Sequence, residues 1–226
     1  MSHRRNAFLK RATGLAPIGA RLALGISLLA CPPALTVASL GLLAAFDGSA
    51  DGYQLVERAT WFRSPHVQYL LGVDGVSLFL VLLTTFLVPV AILASWKLSD
   101  RLRLYLAAIL ALETATIGAF LALDLLLFFL FFEALLFPMY LLIGIWGYGR
   151  RVYAAVKFFL FTMFGSAFML LSFLAMYFLS KVHTFDMVVL SNLHGAGIVH
   201  GTQLLIFGGM FLGFAIKVPM FPFHTW

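Results

Sequence analysis

Cysteine is almost absent from the 226 residues: Cys31 stands alone, inside an apolar run. One thiol excludes an internal disulfide and any iron–sulfur cluster ligated by this chain's own cysteines. Charge is scarce too, at 11% of residues, with nine Asp and Glu against fifteen Lys and Arg. A chain that is 62% hydrophobic, carries 24 Phe and has a mean hydropathy of +1.02 lacks the polar surface to cover a water-soluble globule. It reads as an all-α polytopic membrane protein, a bundle of transmembrane helices in a lipid bilayer. The net charge of +6 does not point to nucleic acid, because the basic residues lie in short patches beside apolar spans, without a basic face or aromatic binding motif. No dinucleotide fingerprint or haem-attachment motif occurs, so the chain shows no redox centre of its own.

Residues 1–21 hold Arg4, Arg5, Lys10, Arg11 and Arg21 and no acid, and form a basic tail ahead of a transmembrane domain at 22–226. The first apolar segment, Leu22 to Phe46, is too long for a signal-peptide core, holds Pro32 and Pro33, and is followed by no Ala-x-Ala site; it reads as a retained span. A polar loop from Asp47 to Asp74 follows, in which Trp61, Phe62 and Tyr69 suit an interfacial belt. Asp74 and Ser77 are cap candidates for a second span from Val76 to Trp96, which Pro89 is expected to kink. Later spans are expected at Leu104 to Leu123, Asp124 to Gly147, Tyr153 to Leu179 and, after a loop from Ser180 to Gly201, Leu204 to Trp226.

With six spans, the first, third and fifth connections carry eleven of the fifteen cations, against Arg58, Arg63 and Lys181 on the other side. Lys and Arg collect on the cytoplasmic side, so the N-terminal tail is expected there. Lys217 is the cation left over, inside the last apolar run.

The fourth run, DLLLFFLFFEALLFPMYLLIGIWG, carries a single carboxylate beyond its first residue, Glu133. An ionised carboxylate at mid-membrane costs about 2.5–3.5 kcal/mol on insertion scales, so an inert anchor is expected to lose it. Pro138 cannot donate to the carbonyl of Ala134, which leaves an acceptor free one residue beyond the acid. Rise per residue places Glu133 about 12 Å past Leu125 and Lys217 about 20 Å past Leu204, both in the middle third of a roughly 30 Å core. An acid and a base at similar depth on parallel helices are natural partners. Pro219 and Pro222 free the carbonyls of Ala215 and Val218, so the last helix is expected to break just past Lys217 and expose acceptors there.

Other residues carry weaker signals. Glu113, central in the third span, is either a second proton-path acid or a packed acid bonded to Thr114, Thr116 or a neighbouring helix. His183, His194 and His200 share a loop at spacings that match no zinc pattern and read as solvated. Gly208-Gly209-x-x-x-Gly213 and Gly165-Ser166-Ala167 offer small-residue faces for helix contact.

FFLFFEALLFPMYLLIGIWG, then RRVYAAVKFFLFTMFGSAFML, then FAIKVPMFPFHTW occur in an order that resembles the antiporter-like M subunits of respiratory complex I, the bacterial relatives of mitochondrial NADH dehydrogenase subunit 4. The upstream LGVDGVSLFLVLLTTFLVPVAILASW is similar to that family's stretch before its central helices. The resemblance is specific from about Tyr69 to Trp226 and weak over Leu22 to Phe46. It implies that Glu133 takes the place of the family's essential glutamate, Lys217 that of its broken-helix lysine, and His224 that of the histidine in its P-x-H-x-W pattern. Glu113, Lys157 and His224 are further proton-path candidates. The family's first span and second, inverted repeat have no counterpart, so an incomplete chain or the product of a split or shortened gene is expected.

The resemblance implies a proton-translocating subunit of NADH:quinone oxidoreductase in a bacterial inner membrane, partnered by other membrane-arm subunits. NAD, FMN, iron–sulfur clusters and quinone are implied in those partners and no cofactor in this chain. Two alternatives stand beside it: a subunit of a multisubunit cation/proton antiporter, which uses the same pairing without NADH, and a membrane scaffold without transport activity.

Overall fold

A computed structural model describes residues 32–226, apart from 51, 63–64, 96–97, 99 and 194–196, and no side chain at 32–34. The basic tail, Cys31 and the start of the first predicted span lie outside the described residues, as do Arg63, Lys97 and His194. The described residues divide into two compact units, those of 32–59 with 70–122, and those of 60–69 with 123–226.

In the first unit, helix α1 (Pro32–Ala45) packs on α2 (Gly75–Ala94), and α2 on α3 (Leu102–Leu121). The stretch expected as a polar loop instead holds two strands, β1 (Gln54–Phe62) and β2 (Val67–Val73), paired as a two-stranded sheet. Val, Leu, Thr, Tyr, Trp and Phe there favour extended backbone, a preference that the charges Glu57 and Arg58 conceal at the level of composition. Trp61 and Phe62, proposed for an interfacial belt, are exposed and stack at 5.4 Å. Asp74 caps α2 in a capping box with Ser77: its carboxylate accepts from the Ser77 N–H at 2.8 Å and the Ser77 hydroxyl accepts from the Asp74 N–H at 2.9 Å.

Helix α2 runs through Pro89, and α1 supplies what the proline takes away. Proline has no N–H for the carbonyl four residues back, here Thr85. The Thr36 hydroxyl donates to that carbonyl at 2.6 Å, and the Ser39 and Thr85 hydroxyls meet at 2.8 Å. A backbone acceptor orphaned in an apolar span thus becomes the contact that seats α1.

In the second unit, the fourth predicted span is two helices, α4 (Leu125–Ala134) and α5 (Leu136–Trp146), separated at Leu135. Pro138 explains the interruption: it removes one donor, and its ring crowds the carbonyl of Ala134. Helix α6 (Arg151–Leu179) follows, then a short helix α7 (Met187–Asn192) in what was expected as loop, and α8 (His200–Lys217). A 3-10 turn, Phe223–Thr225, comes last. Among the described residues four helical stretches are long and apolar enough to cross a membrane: Gly75–Ala94, Leu102–Leu121, Leu125–Trp146 and Arg151–Leu179. The remaining two of the six expected spans correspond to the 14 residues of α1 and the 18 of α8.

Asp124 organises the entrance to α4. Its carboxylate accepts from the N–H groups of Leu126 and Leu127 at 3.0 and 3.2 Å and from that of Gln68 at 3.1 Å. Asp186 caps α7 in the same way through Val188 and Val189, and the backbones of Asp124 and Asp186 form an antiparallel bridge. Beneath it lies a core of Val67, Leu125, Met169, Phe173 and Phe185.

The most extensive helix contact among the described residues is between α6 and α8, where small residues let the backbones approach. A Cβ on Gly213 would lie 2.8 Å from Met169 Cβ and 3.0 Å from the carbonyl of Gly165, and one on Gly209 would collide with the Ser172 hydroxyl. A Cβ on Gly165 would lie 2.8 Å from Ile216 Cδ1. Both small-residue motifs therefore serve the same crossing, with Gly208 facing open space.

Candidate functional site

Helix α4 ends within one residue of Glu133, and α8 ends at Lys217. The last four carbonyls of an α-helix have no partner inside it, and the aligned peptide dipoles make that end attractive to a cation. Phe132 is among those four in α4, and its carbonyl accepts from Lys217 Nζ at 2.7 Å. The same ammonium donates to Glu133 Oε1 at 3.1 Å and lies 3.5 Å from the centroid of the Phe132 ring. A carboxylate, a helix C-terminus and an aromatic face thus converge on one cation, each favouring positive charge by a different route. The side chains of Lys217 and Glu133 keep 12% and 23% of their surface accessible.

Phe132 is held in turn by rings. It stacks on Phe128 at 5.2 Å and meets Phe214 edge-on at 5.7 Å, and Phe128 also contacts Phe173 of α6. Depth arguments bring Glu133 and Lys217 together, but Phe132 carries no signal among 24 phenylalanines. The signal for its carbonyl was Pro138, which ends α4 early enough to orphan it.

Of the two carbonyls expected to be freed by Pro219 and Pro222, that of Ala215 has a partner, and a third, that of Ile216, is drawn in as well. Pro219 cannot serve the carbonyl of Ala215, and the N–H of Met220 reaches it at 2.9 Å instead. The carbonyl of Ile216, having lost Met220, accepts from the indole N–H of Trp226 at 2.7 Å.

His224 sits in the 3-10 turn, exposed, with its ring 5.8 Å from that of Phe221. Lys157 does not join the pair: its ammonium donates to the carbonyl of Thr225 at 2.6 Å. Glu113, in the first unit, is 1% exposed, and neither of its carboxyl oxygens has a hydrogen-bond partner. The expected bonds to Thr114 and Thr116 are not made, because those hydroxyls donate to the carbonyls of Leu110 and Leu112 in their own helix. His183 is exposed, with Nδ1 3.0 Å from the carbonyl of Tyr177, and His200 is exposed at the start of α8.

Two family models tile most of the chain. Residues 53–119 match the amino terminus of NADH-ubiquinone oxidoreductase chain 4, and residues 122–226 match the transmembrane module described as NADH:quinone oxidoreductase/Mrp antiporter. NADH-quinone oxidoreductase subunit M of Rhodobacter capsulatus is 48% identical over 198 residues, 83% of this chain and 38% of that protein. The chain belongs to the subunit M / chain 4 family. Its likeness to subunit M of Rickettsia felis is 44% identity over 191 residues, 84% of this chain and 38% of the relative. Among solved structures, respiratory complex I from Thermus thermophilus with bound NADH contains a chain of the same fold, with TM-score 0.75 and 31% identity over 95% of this chain and 45% of that one. This member of the subunit M / chain 4 family therefore spans 38% of the length of these two curated relatives. It is a multi-pass membrane protein.

Proposed function

We propose that this chain acts as a proton-translocating membrane subunit of NADH:quinone oxidoreductase, with Glu133 and Lys217 as its intramembrane relay. The observation that carries the reading is the 3.1 Å ion pair at the meeting of two interrupted helices, supported by the family and by the likeness to a complex I chain. Close together, the two charges neutralise one another. Drawn apart in a low-dielectric site, each becomes a costly isolated ion, so that a change in a neighbouring subunit that moves Glu133 favours proton release from Lys217. The carbonyl and ring of Phe132 meanwhile hold the lysine in place. Glu113 and His224 are further candidates on the path, Glu113 because it is a buried carboxyl without a hydrogen bond.

In this reading the subunit belongs to an oxidoreductase whose NAD, FMN, iron–sulfur clusters and quinone lie in other subunits, and its partners are the remaining membrane-arm subunits. It resides in a bacterial inner membrane with the N-terminal tail cytoplasmic. A subunit of a cation/proton antiporter is the second reading, since the model matching residues 122–226 is described by both assemblies. Dependence of transport on NADH separates them.

The test is Glu133→Gln in the assembled complex. The amide keeps the shape and removes the titratable group. The proton-to-electron ratio in vesicles is expected to collapse while insertion and assembly on native gels stay parental; an unchanged ratio overturns the relay.

A further inference from the structure

The segment after Lys217 is strapped to α6 at two consecutive residues, and the strap returns to the residue before Lys217. Lys157 Nζ donates to the carbonyl of Thr225 at 2.6 Å, and the next residue of α6, Phe158, packs its buried ring against Trp226 at 4.9 Å. The Trp226 indole N–H donates to the carbonyl of Ile216 at 2.7 Å. Ile216, 2% exposed, presses its side chain against Gly165, on the same α6 helix. Ile216 is thus gripped from two sides, by its side chain against α6 and by its carbonyl through a strap that α6 itself anchors.

The need for such a grip follows from Pro219. An uninterrupted helix would hold the Ile216 carbonyl through the N–H of Met220, but Met220 has been drawn one residue back to Ala215. Without a donor from elsewhere the last turn of α8 would keep a buried orphan acceptor and lose the stiffness that sets where Lys217 points. Trp226 supplies the donor, and Lys157 with Phe158 sets the position of Trp226.

We infer that Lys157 is a positioning residue: with Trp226 it clamps the broken end of α8, so that Lys217 reaches Glu133 and the carbonyl of Phe132. It acts through a charge-assisted hydrogen bond to a backbone carbonyl, not by giving up its own proton. This rests on the Glu133–Lys217 relay reading and assigns Lys157 a role outside the proton path.

Three variants in the assembled complex test it: Lys157→Met removes the donor, Lys157→Arg keeps one that does not deprotonate, and Trp226→Phe keeps the ring on Phe158 but removes the N–H. The proton-to-electron ratio is expected to fall about two- to tenfold in Lys157→Met and Trp226→Phe, the population change that loss of one net hydrogen bond produces, with assembly parental. Lys157→Arg is expected to pump like the parent, with the parent's pH profile. If Lys157→Arg is as impaired as Lys157→Met, Lys157 titrates in the cycle and the inference is wrong. Parental pumping by Trp226→Phe also overturns it, and this variant decides the matter if Lys157→Met does not assemble. Failure of the strap is kept apart from failure of the relay by a second measurement in a Cys31→Ser background: Lys157→Cys with Thr225→Cys is expected to cross-link through a short bifunctional thiol reagent in native membranes. No cross-link overturns the strap even where Glu133→Gln abolishes pumping. A cross-link together with normal pumping by Glu133→Gln leaves the strap standing and removes the relay.

Discussion

The ammonium of Lys217 lies nearer to the backbone carbonyl of Phe132, at 2.7 Å, than to the carboxylate of Glu133, at 3.1 Å. The lysine is therefore seated on a helix terminus as well as paired with an acid. Helix termini of this kind favour a cation by about 0.3–2 kcal/mol, the larger values in partly buried geometries. Loss of the Glu133 charge is therefore expected to leave Lys217 on the Phe132 carbonyl, which separates charge effects from positional ones in the predictions that follow.

Lys217→Arg keeps a cation able to bond Phe132 and Glu133 but binds its proton too tightly to release it. Pumping is expected to fall by about 10²-fold or more in both Lys217→Arg and Lys217→Ala, the scale for losing a proton-transfer group. Proton-to-electron ratios beside native gels measure this. If Lys217→Arg pumps normally, positive charge suffices.

Gly213→Leu places a branched side chain where a single Cβ already lies 2.8 Å from Met169 Cβ and 3.0 Å from the carbonyl of Gly165. Overpacking of this kind costs about 1–3 kcal/mol. Thermal unfolding in detergent is expected to shift down, and the same substitution at Gly208, which faces open space, to leave the midpoint near the parent's.

Asp124 gives a pH-dependent prediction. Burial is the largest influence and raises its pKa; the N–H groups of Gln68, Leu127 and Leu126 pull it down, and the Asp186 charge adds to the rise. The folded value lies above the unfolded one, so this carboxyl contributes stability that is present below the unfolded pKa of about 3.9 and lost as pH rises through the folded value. Asp124→Asn keeps one oxygen acceptor and does not titrate. The stability advantage of the parent over Asp124→Asn, measured by thermal unfolding, is expected to shrink as pH rises from about 4 to neutrality. An advantage that grows over that interval means that the three N–H bonds outweigh burial.

Orientation is checked by labelling in a Cys31→Ser background. Tyr148, 99% exposed between α5 and α6, lies on the side expected to be cytoplasmic, and Ser191 of α7 on the other. An impermeant thiol reagent added outside intact cells is expected to label Ser191→Cys and spare Tyr148→Cys. The reverse pattern inverts the topology.

The pairing of Glu133 with Lys217 and the helix breaks beside them were legible in the sequence because they depend on quantities that run along the chain: rise per residue, the length of an apolar run, and a proline's missing donor. These place Glu133 and Lys217 at similar levels, end α8 just past Lys217 and assign Asp74 to a cap before any contact is known. They also identify Gly209 and Gly213 as small enough for a close crossing. What a side chain touches across the bundle is not a property of its own segment. Thr36 meets the carbonyl orphaned by Pro89 only because α1 lies on α2, and the strands at Gln54–Phe62 and Val67–Val73 exist through their pairing. Phe132 supplies a carbonyl and a ring to Lys217 only because the α6–α8 crossing sets the rotation and lateral position of α8. Which donor reaches which orphaned carbonyl is decided by that rotation, and so the Ala215 carbonyl expected to stand open is filled by Met220, while Ile216, which no proline marked in the sequence, takes the indole of Trp226. The sequence determined that these backbone groups would need partners, because that follows from covalent chemistry; only the tertiary structure decided who the partners are, because that follows from packing.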